Sequence, residues 1–164
     1  MTCSCIGARE PGPPAEWFAL KRELTVNDLN GLHATFTPAL SGEYYIALSF
    51  REPLQDVEVR DLVNRSASSI GMDDPVRFDF DWRIVRDEKL VAGGTGRHGA
   101  TGVIDTGSEG LGAGPLKSRA LAFGKFAAEA NRVYIIELQA RPAFASVLRA
   151  NPQLEVRLEP MSRQ

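Results

Sequence analysis

A spacing of one phenylalanine, seven residues and one tyrosine occurs twice in this chain of 164 residues, ninety positions apart. The first copy runs from Phe36 to Tyr44 and the second from Phe126 to Tyr134. Each tyrosine opens a segment of alternating apolar residues, and side chains of an extended chain point to opposite faces with period two. Each copy therefore predicts a strand that turns into a second, half-buried strand, which is the pattern of a β-sandwich.

The same alternation predicts strands along most of the chain. The clearest covers residues 76–85, where the inward side chains are Val76, Phe78, Phe80, Trp82 and Ile84 and the outward ones are Arg77, Asp79, Asp81 and Arg83. Further strands are predicted over residues 17–26, 32–36, 44–50, 89–92, 116–126, 132–140 and 154–158. Residues 55–63 fit both a strand and a helix, and we favour a strand followed by one helical turn.

These patterns predict an all-β protein. We expect a two-layer antiparallel β-sandwich with an immunoglobulin-like or jelly-roll-like Greek key, nine or ten short strands and minimal helix. Residues 16–160 are predicted to form this single domain, after a flexible tether over residues 1–15. The net charge of −2 and the sequence pI near 5.7 argue against a nucleic-acid partner. No stretch approaches the roughly twenty apolar residues of a transmembrane helix.

The two cysteines lie in the first five residues, so no disulfide can cross-link the body of the domain. Two interpretations of this start remain open. One is a frayed terminus. The other is the end of a secretory signal, with Cys5 as the lipid-acceptor residue and the Pro-rich residues 9–14 as part of the tether.

Tyr44 and Tyr134 are interpreted as structural residues. A tyrosine just after a crossover of a Greek-key sandwich can bury its ring and return its hydroxyl to the backbone a few residues upstream. Leu40 to Tyr44 fits this spacing well, because Gly42 allows the turn, whereas the segment before Tyr134 lacks the glycine.

One four-residue motif matches a catalytic signature. Asp105-Thr106-Gly107-Ser108 follows an apolar pair, as in aspartic proteases, in which two carboxylates share a proton and one activates water. A single copy would require a homodimer that resembles retroviral-type proteases, and the motif stands two thirds along the chain. The same residues are typical of a side-chain-capped turn. We therefore predict no catalytic residues, with Asp105 as the one weak candidate.

Nine glycines stand within residues 93–114, which predicts a flexible loop with a brief strand over 101–105. No helix follows the first glycines, so a phosphate-binding loop is not expected. His33 and His98 are the only histidines, and with no cysteine in the domain body neither a metal site nor a cofactor is predicted.

The charged side chains of the 76–85 strand have two interpretations. Asp79 and Asp81 alternate with Arg77 and Arg83, which is typical of opposite charges that pair across a solvated sheet face and argues against a calcium site. The other interpretation is a charged docking surface next to the glycine-rich segment. The partner-binding candidates are Arg77, Asp79, Asp81, Arg83, Arg97 and His98.

The layout resembles that of small bacterial cell-envelope proteins of uncharacterised β-sandwich families, often lipoproteins. The resemblance lies in Cys5 with its tether and in the segments at residues 40–46, 134–138 and 152–156. Some such proteins are similar to periplasmic immunity proteins, which bind and block antibacterial effectors delivered by type VI secretion. The resemblance implies a periplasmic or outer-membrane location, a lipid anchor and a protein partner such as a secreted toxin.

The expected function is therefore a non-enzymatic protein-binding domain of the bacterial envelope. A cytoplasmic location is the alternative. A second function class is a module that binds cell-wall carbohydrate or another small ligand, which would expose coplanar aromatic rings. Phe78, Phe80 and Trp82 are predicted to face inward, which disfavours this class, with Trp17 as the exception. The third class is the dimeric aspartic protease.

Overall fold

The computed structural model describes residues 14–109 and 116–159, apart from the side chains of residues 105–109 and 116–118. Its strands are β1 (Phe18–Glu23), β2 (Leu32–Phe36), β3 (Gly42–Arg51), β4 (Phe80–Arg86), β5 (Lys89–Thr95), β6 (Gly102–Glu109), β7 (Leu116–Ala128), β8 (Tyr134–Ala140) and β9 (Gln153–Leu158). The α-helices are α1 (Val57–Ser68) and α2 (Ala145–Leu148). Short 3-10 turns are formed by Ala15–Trp17, Val26–Asn30, Gly96–His98 and Pro142–Phe144.

The strands form two sheets. The five-stranded sheet has the order β1-β9-β3-β7-β6 and the four-stranded sheet the order β2-β8-β4-β5. Every pairing is antiparallel. Buried side chains of both sheets pack into one core between them, which confirms the predicted all-β, two-layer antiparallel sandwich.

The aromatic side chains of β4 and of the residues just before it fill the centre of this core. Phe78, Phe80 and Trp82 are all buried, as the alternation predicts. The strand itself begins at Phe80 rather than at residue 76. Ahead of the strand, the Phe78 amide donates to the Gly96 carbonyl at 2.9 Å, which ties this segment to the turn after β5.

The two copies of the phenylalanine–tyrosine spacing are two of the connections that cross between the sheets. The first leads from β2 to β3 and the second from β7 to β8. Phe36 lies opposite Tyr134 in the β2–β8 pair, and Tyr44 lies opposite Phe126 in the β3–β7 pair. The equivalent residues of the two copies therefore meet in one part of the core.

The tyrosine hydroxyls both return to upstream backbone, but in opposite senses. Tyr44 donates to the Leu40 carbonyl at 2.9 Å, the geometry predicted for a tyrosine corner. The Tyr134 hydroxyl accepts from the Glu129 amide at 3.0 Å and from Nη1 of Arg86 at 3.3 Å. Burial raises the pKa of Tyr44, which keeps its hydroxyl protonated as a donor.

Two predictions for local structure are wrong. Residues 57–68 form helix α1, not a strand followed by a turn, because Val59, Val63 and Ser66 face the core at helical spacing. Asp56 caps the helix by accepting from the Val59 amide at 3.1 Å.

Much of the segment predicted as a flexible glycine-rich loop is also regular structure. Residues 93–95 belong to β5. Residues 102–109 form β6, which confirms the strand predicted over 101–105 and extends it, while residues 110–115 lie outside the description. Gly94 and Gly96 stand where a Cβ atom would come within 3 Å of the Trp82 and Phe80 rings, respectively. These glycines permit close packing of an element against the aromatic core rather than chain flexibility. No described helix is long and apolar enough to cross a membrane.

Candidate functional site: the outer face of the four-stranded sheet

The outer face of the four-stranded sheet begins with a row of mostly apolar side chains. Thr35, Ile135, Val85 and Leu90 lie side by side on β2, β8, β4 and β5. Leu90 and Ile135 are exposed, and Val133, just before β8, is exposed as well. We call Thr35, Ile135, Val85 and Leu90 the apolar row. A large apolar side chain on an open sheet face loses the free energy of burial unless something covers it.

The next row along the same face is charged. His33, Glu137 and Arg83 are cross-strand neighbours on β2, β8 and β4. Nη2 of Arg83 forms an ion pair with Oε2 of Glu137, and Nδ1 of His33 lies 3.6 Å from Oε1 of the same carboxylate. Glu137 thus connects side chains from both of its neighbouring strands.

Two aspartates and two arginines form a closed cluster at the far end of β4. Nε of Arg97 donates to Oδ1 of Asp79 at 3.2 Å, and Nη2 of Arg141 donates to Oδ2 of Asp81 at 3.3 Å. The cross contacts, Arg97 to Asp81 and Arg141 to Asp79, are 3.8 and 3.6 Å. We call these four residues the arginine–aspartate cluster. It joins the start of β4, the turn after β5 and the end of β8.

The electrostatics of this cluster favour ionised aspartate. Burial works to raise the pKa of Asp81, but hydrogen bonds from Thr95 and Arg141 and the positive charge of Arg97 outweigh it. The pKa of Asp81 is therefore held below its usual value, and the ion pairs are complete at neutral pH.

The arginines of this face are all partly exposed. The side chains of Arg77, Arg83, Arg97 and Arg141 are 56, 64, 43 and 49% exposed. The carboxylates of Asp79, Asp81 and Glu137 are only 35, 41 and 23% exposed. Guanidinium groups and carboxylates are thus both within reach of an approaching molecule, with Arg83 and Arg77 the most exposed of these seven side chains.

Two cavities open on this face. One, of about 330 Å³, is lined by the arginine–aspartate cluster members Asp79, Arg97 and Arg141 together with Arg77 and Phe78. The other, of about 420 Å³, is lined by residues of the charged row, Asp81 and the Asn30–Gly31 turn. Asp81 stands between them, because it lines the second cavity and pairs with the two arginines of the first.

The structure brings together five of the six residues predicted to bind a partner, namely Arg77, Asp79, Asp81, Arg83 and Arg97. The sixth, His98, is exposed in the Gly96–His98 turn next to Arg97. The sequence analysis did not single out Arg141 and Glu137 and considered His33 only as a metal ligand. The outward position of Glu137 follows from its alternation with Ile136 and Leu138, but its place beside Arg83 depends on the β4–β8 register.

The remaining residues that the sequence singled out are buried or partly buried, or their side chains lie outside the description. The backbone of Asp105 lies in β6 opposite Arg119, but its side chain falls outside the description, so the protease hypothesis stays a prediction. Cys5 also lies outside the described residues. The rings of Phe78, Phe80 and Trp82 are buried, so they are not presented to a sugar. Trp17 is partly buried.

The function of this chain has to be inferred from the geometry of this site, because comparisons with known proteins assign none. No protein-family model, no curated protein and no solved structure matches this chain.

Proposed function

We propose that this chain is a non-enzymatic protein-binding domain that docks a partner protein on the outer face of the four-stranded sheet. The observation that carries the proposal is the continuity of the apolar row with an arginine-rich charged surface on one open face. Protein interfaces combine an apolar centre with a polar rim, and arginine is enriched in them.

The rigidity of the face supports this function. The two central strands of the sheet, β4 and β8, carry Ile135, Glu137, Val85, Arg83 and Asp81. Ion pairs hold Arg83, Arg97 and Arg141 in place. Side chains that are already ordered lose less conformational entropy when a partner binds. The face is therefore prepared for recognition before the partner arrives.

The specific form that we propose is neutralisation of a secreted antibacterial effector, such as a type VI secretion toxin, in the bacterial envelope. The chain would be held in the periplasm or at the outer membrane by a lipid on Cys5. This form is supported by the resemblance of the tether, the tyrosine corner and the closing strands to envelope lipoproteins.

Affinity capture followed by quantitative binding tests the proposal. The purified chain is used to recover proteins from extracts of its source cells, and the affinity of each purified candidate is measured by calorimetry. Leu90→Asp and Ile135→Asp place a carboxylate in the apolar row, and we expect each to weaken binding at least a hundredfold. Both side chains are exposed, so folding is retained.

Val57→Asp is the matched control, because the exposure of Val57, 55%, lies between those of Ile135 and Leu90, and Val57 begins helix α1, away from the face. Its affinity for the partner should stay within twofold of the original chain. Equal binding by Leu90→Asp, Ile135→Asp and Val57→Asp would show that the partner docks elsewhere. Recovery of only a second copy of the chain, or of glycan, would also contradict the proposal.

A further inference from the structure

We infer that the partner presents an acidic segment to this face, whose carboxylates are bound by Arg77, Arg97 and Arg141. The inference rests on the proposed function and adds to it the chemistry of the partner. It concerns the arginine end of the face, whereas the proposed function depends on the apolar row.

The exposure of the arginines points to acidic groups. The side chains of Arg77 and Arg141 are 56 and 49% exposed, more than those of Asp79 and Asp81 at 35 and 41%, and Arg97 at 43% is about as exposed as Asp81. An approaching carboxylate can therefore reach all three guanidinium groups.

The arginines keep hydrogen-bonding capacity for a ligand. A guanidinium group has five N–H donors in a planar fork that fits a carboxylate with two parallel hydrogen bonds. Among the described residues, the contacts of Arg97 and Arg141 with Asp79 and Asp81 use Nε and Nη2. Nη1 of each of these arginines makes no hydrogen bond to another described residue and can donate to a ligand. The aspartates thus act as positioning residues that fix the direction of the two forks.

Arg77 is held more loosely than the other two arginines. Its Nη2 lies 3.5 Å from Oδ1 of Asp74, whose side chain is 96% exposed. An ion pair this exposed contributes little free energy, so a carboxylate of the partner can replace Asp74 at small cost.

The cavity between these arginines has a suitable shape and lining. It measures about 330 Å³ and is lined by the three arginines together with Asp79 and the buried Phe78. There is room for a carboxylate with its oxygens among the guanidinium groups. A glutamate-rich or aspartate-rich segment supplies such groups, whereas a basic segment would place like charges beside the arginines.

An NMR titration with hexaglutamate tests the inference on the intact chain. We expect the Nε–H signals of Arg77, Arg97 and Arg141 to shift and to reach saturation at low salt. The affinity for hexaglutamate should fall at least threefold between 20 and 200 mM salt, because the Debye length shortens from ~20 to ~7 Å over this range. Hexalysine should leave these signals unchanged.

Variants locate the binding on these residues. Arg97→Gln combined with Arg141→Gln should weaken hexaglutamate binding at least tenfold. Arg77→Gln should weaken it at least threefold and leaves the aspartates paired, so it remains informative if the double variant is unstable. Arg60→Gln combined with Arg65→Gln is the control on helix α1 and should change the affinity less than twofold.

Three results would overturn the inference: no shift of the three arginine signals, equal binding of hexalysine, or equal shifts with inorganic phosphate at the same total charge. Binding of the natural partner to both sets of variants distinguishes an error in this inference from an error in the proposed function. If Leu90→Asp abolishes partner binding and the arginine variants do not change it, the docking face stands and the acidic segment is wrong. If neither set changes partner binding, the docking face itself is wrong.

Discussion

The rings of Phe36 and Tyr134 stack with their centroids 5.6 Å apart and their planes 16° apart. Phe126 contacts both rings and also Tyr44, with centroids 6.0 to 6.2 Å apart. The residues that repeat in the sequence thus form one aromatic cluster that joins the two sheets. Because the two crossovers run between the sheets in opposite directions, each phenylalanine meets the tyrosine of the other copy.

Tyr44→Phe should destabilise the domain by about 1 kcal/mol, because it removes the hydroxyl that donates to the Leu40 carbonyl. Tyr134→Phe should have an effect of similar size, since it leaves the Glu129 amide without this acceptor. Urea unfolding monitored by circular dichroism measures both. An unchanged free energy of unfolding for Tyr44→Phe would refute its role as a tyrosine corner.

Gly124→Ala should destabilise the domain by roughly 1–3 kcal/mol through overpacking. A Cβ atom at this position of β7 would overlap the indole ring of Trp82, which lies in the opposite sheet. Gly102→Ala is the control, because a Cβ atom there meets nothing within 4 Å. Trp82→Phe should partly relieve the effect of Gly124→Ala in a double-mutant cycle, and additive effects would contradict the proposed overlap.

Asp81→Asn should lower the melting temperature at pH 6 but not at low pH. The pKa of Asp81 is lowered in the folded chain, so its ionised form stabilises the fold above the unfolded-state pKa of about 3.9. This contribution disappears as the pH falls through the lower pKa of the folded chain. Thermal unfolding between pH 2 and 6 should therefore show the two curves converging, whereas Asp74→Asn should follow the original chain throughout.

Asp56→Ala should lower the melting temperature and reduce the helical signal, because the Val59 amide loses its capping acceptor. The hydrogen bond from this amide also lowers the pKa of Asp56. Asp56→Asn retains an acceptor and should behave almost like the original chain. A loss in Asp56→Asn as large as in Asp56→Ala would show that the ion pair with Arg149, 3.3 Å away, matters more than the cap.

The layers of the sandwich could be predicted from the sequence because period-two alternation is a local property. In β4, the burial of Phe80, Trp82 and Ile84 follows directly from it. Helix α1 was ambiguous over the few residues considered. Its decisive signals are Asp56 as a capping residue and the continuation of helical spacing to Ser66, and both could have been read from the sequence.

The packing role of the glycines and the composition of the site could not be predicted from local sequence patterns. Gly94 and Gly124 are required by Trp82, which approaches them from a neighbouring strand and from the opposite sheet. Likewise, Arg141 reaches Asp81 only through the β4–β8 pairing, across a separation of sixty residues. The sequence identified Asp79, Asp81 and Arg97 as candidates but could not show that Arg141 joins them in one cluster.

The antiparallel pairing of β1 with β9 places Phe18 opposite Arg157 in the five-stranded sheet. Within the described residues, the first and last strands of the domain are therefore neighbours, and they belong to the sheet opposite the one that carries the arginine–aspartate cluster.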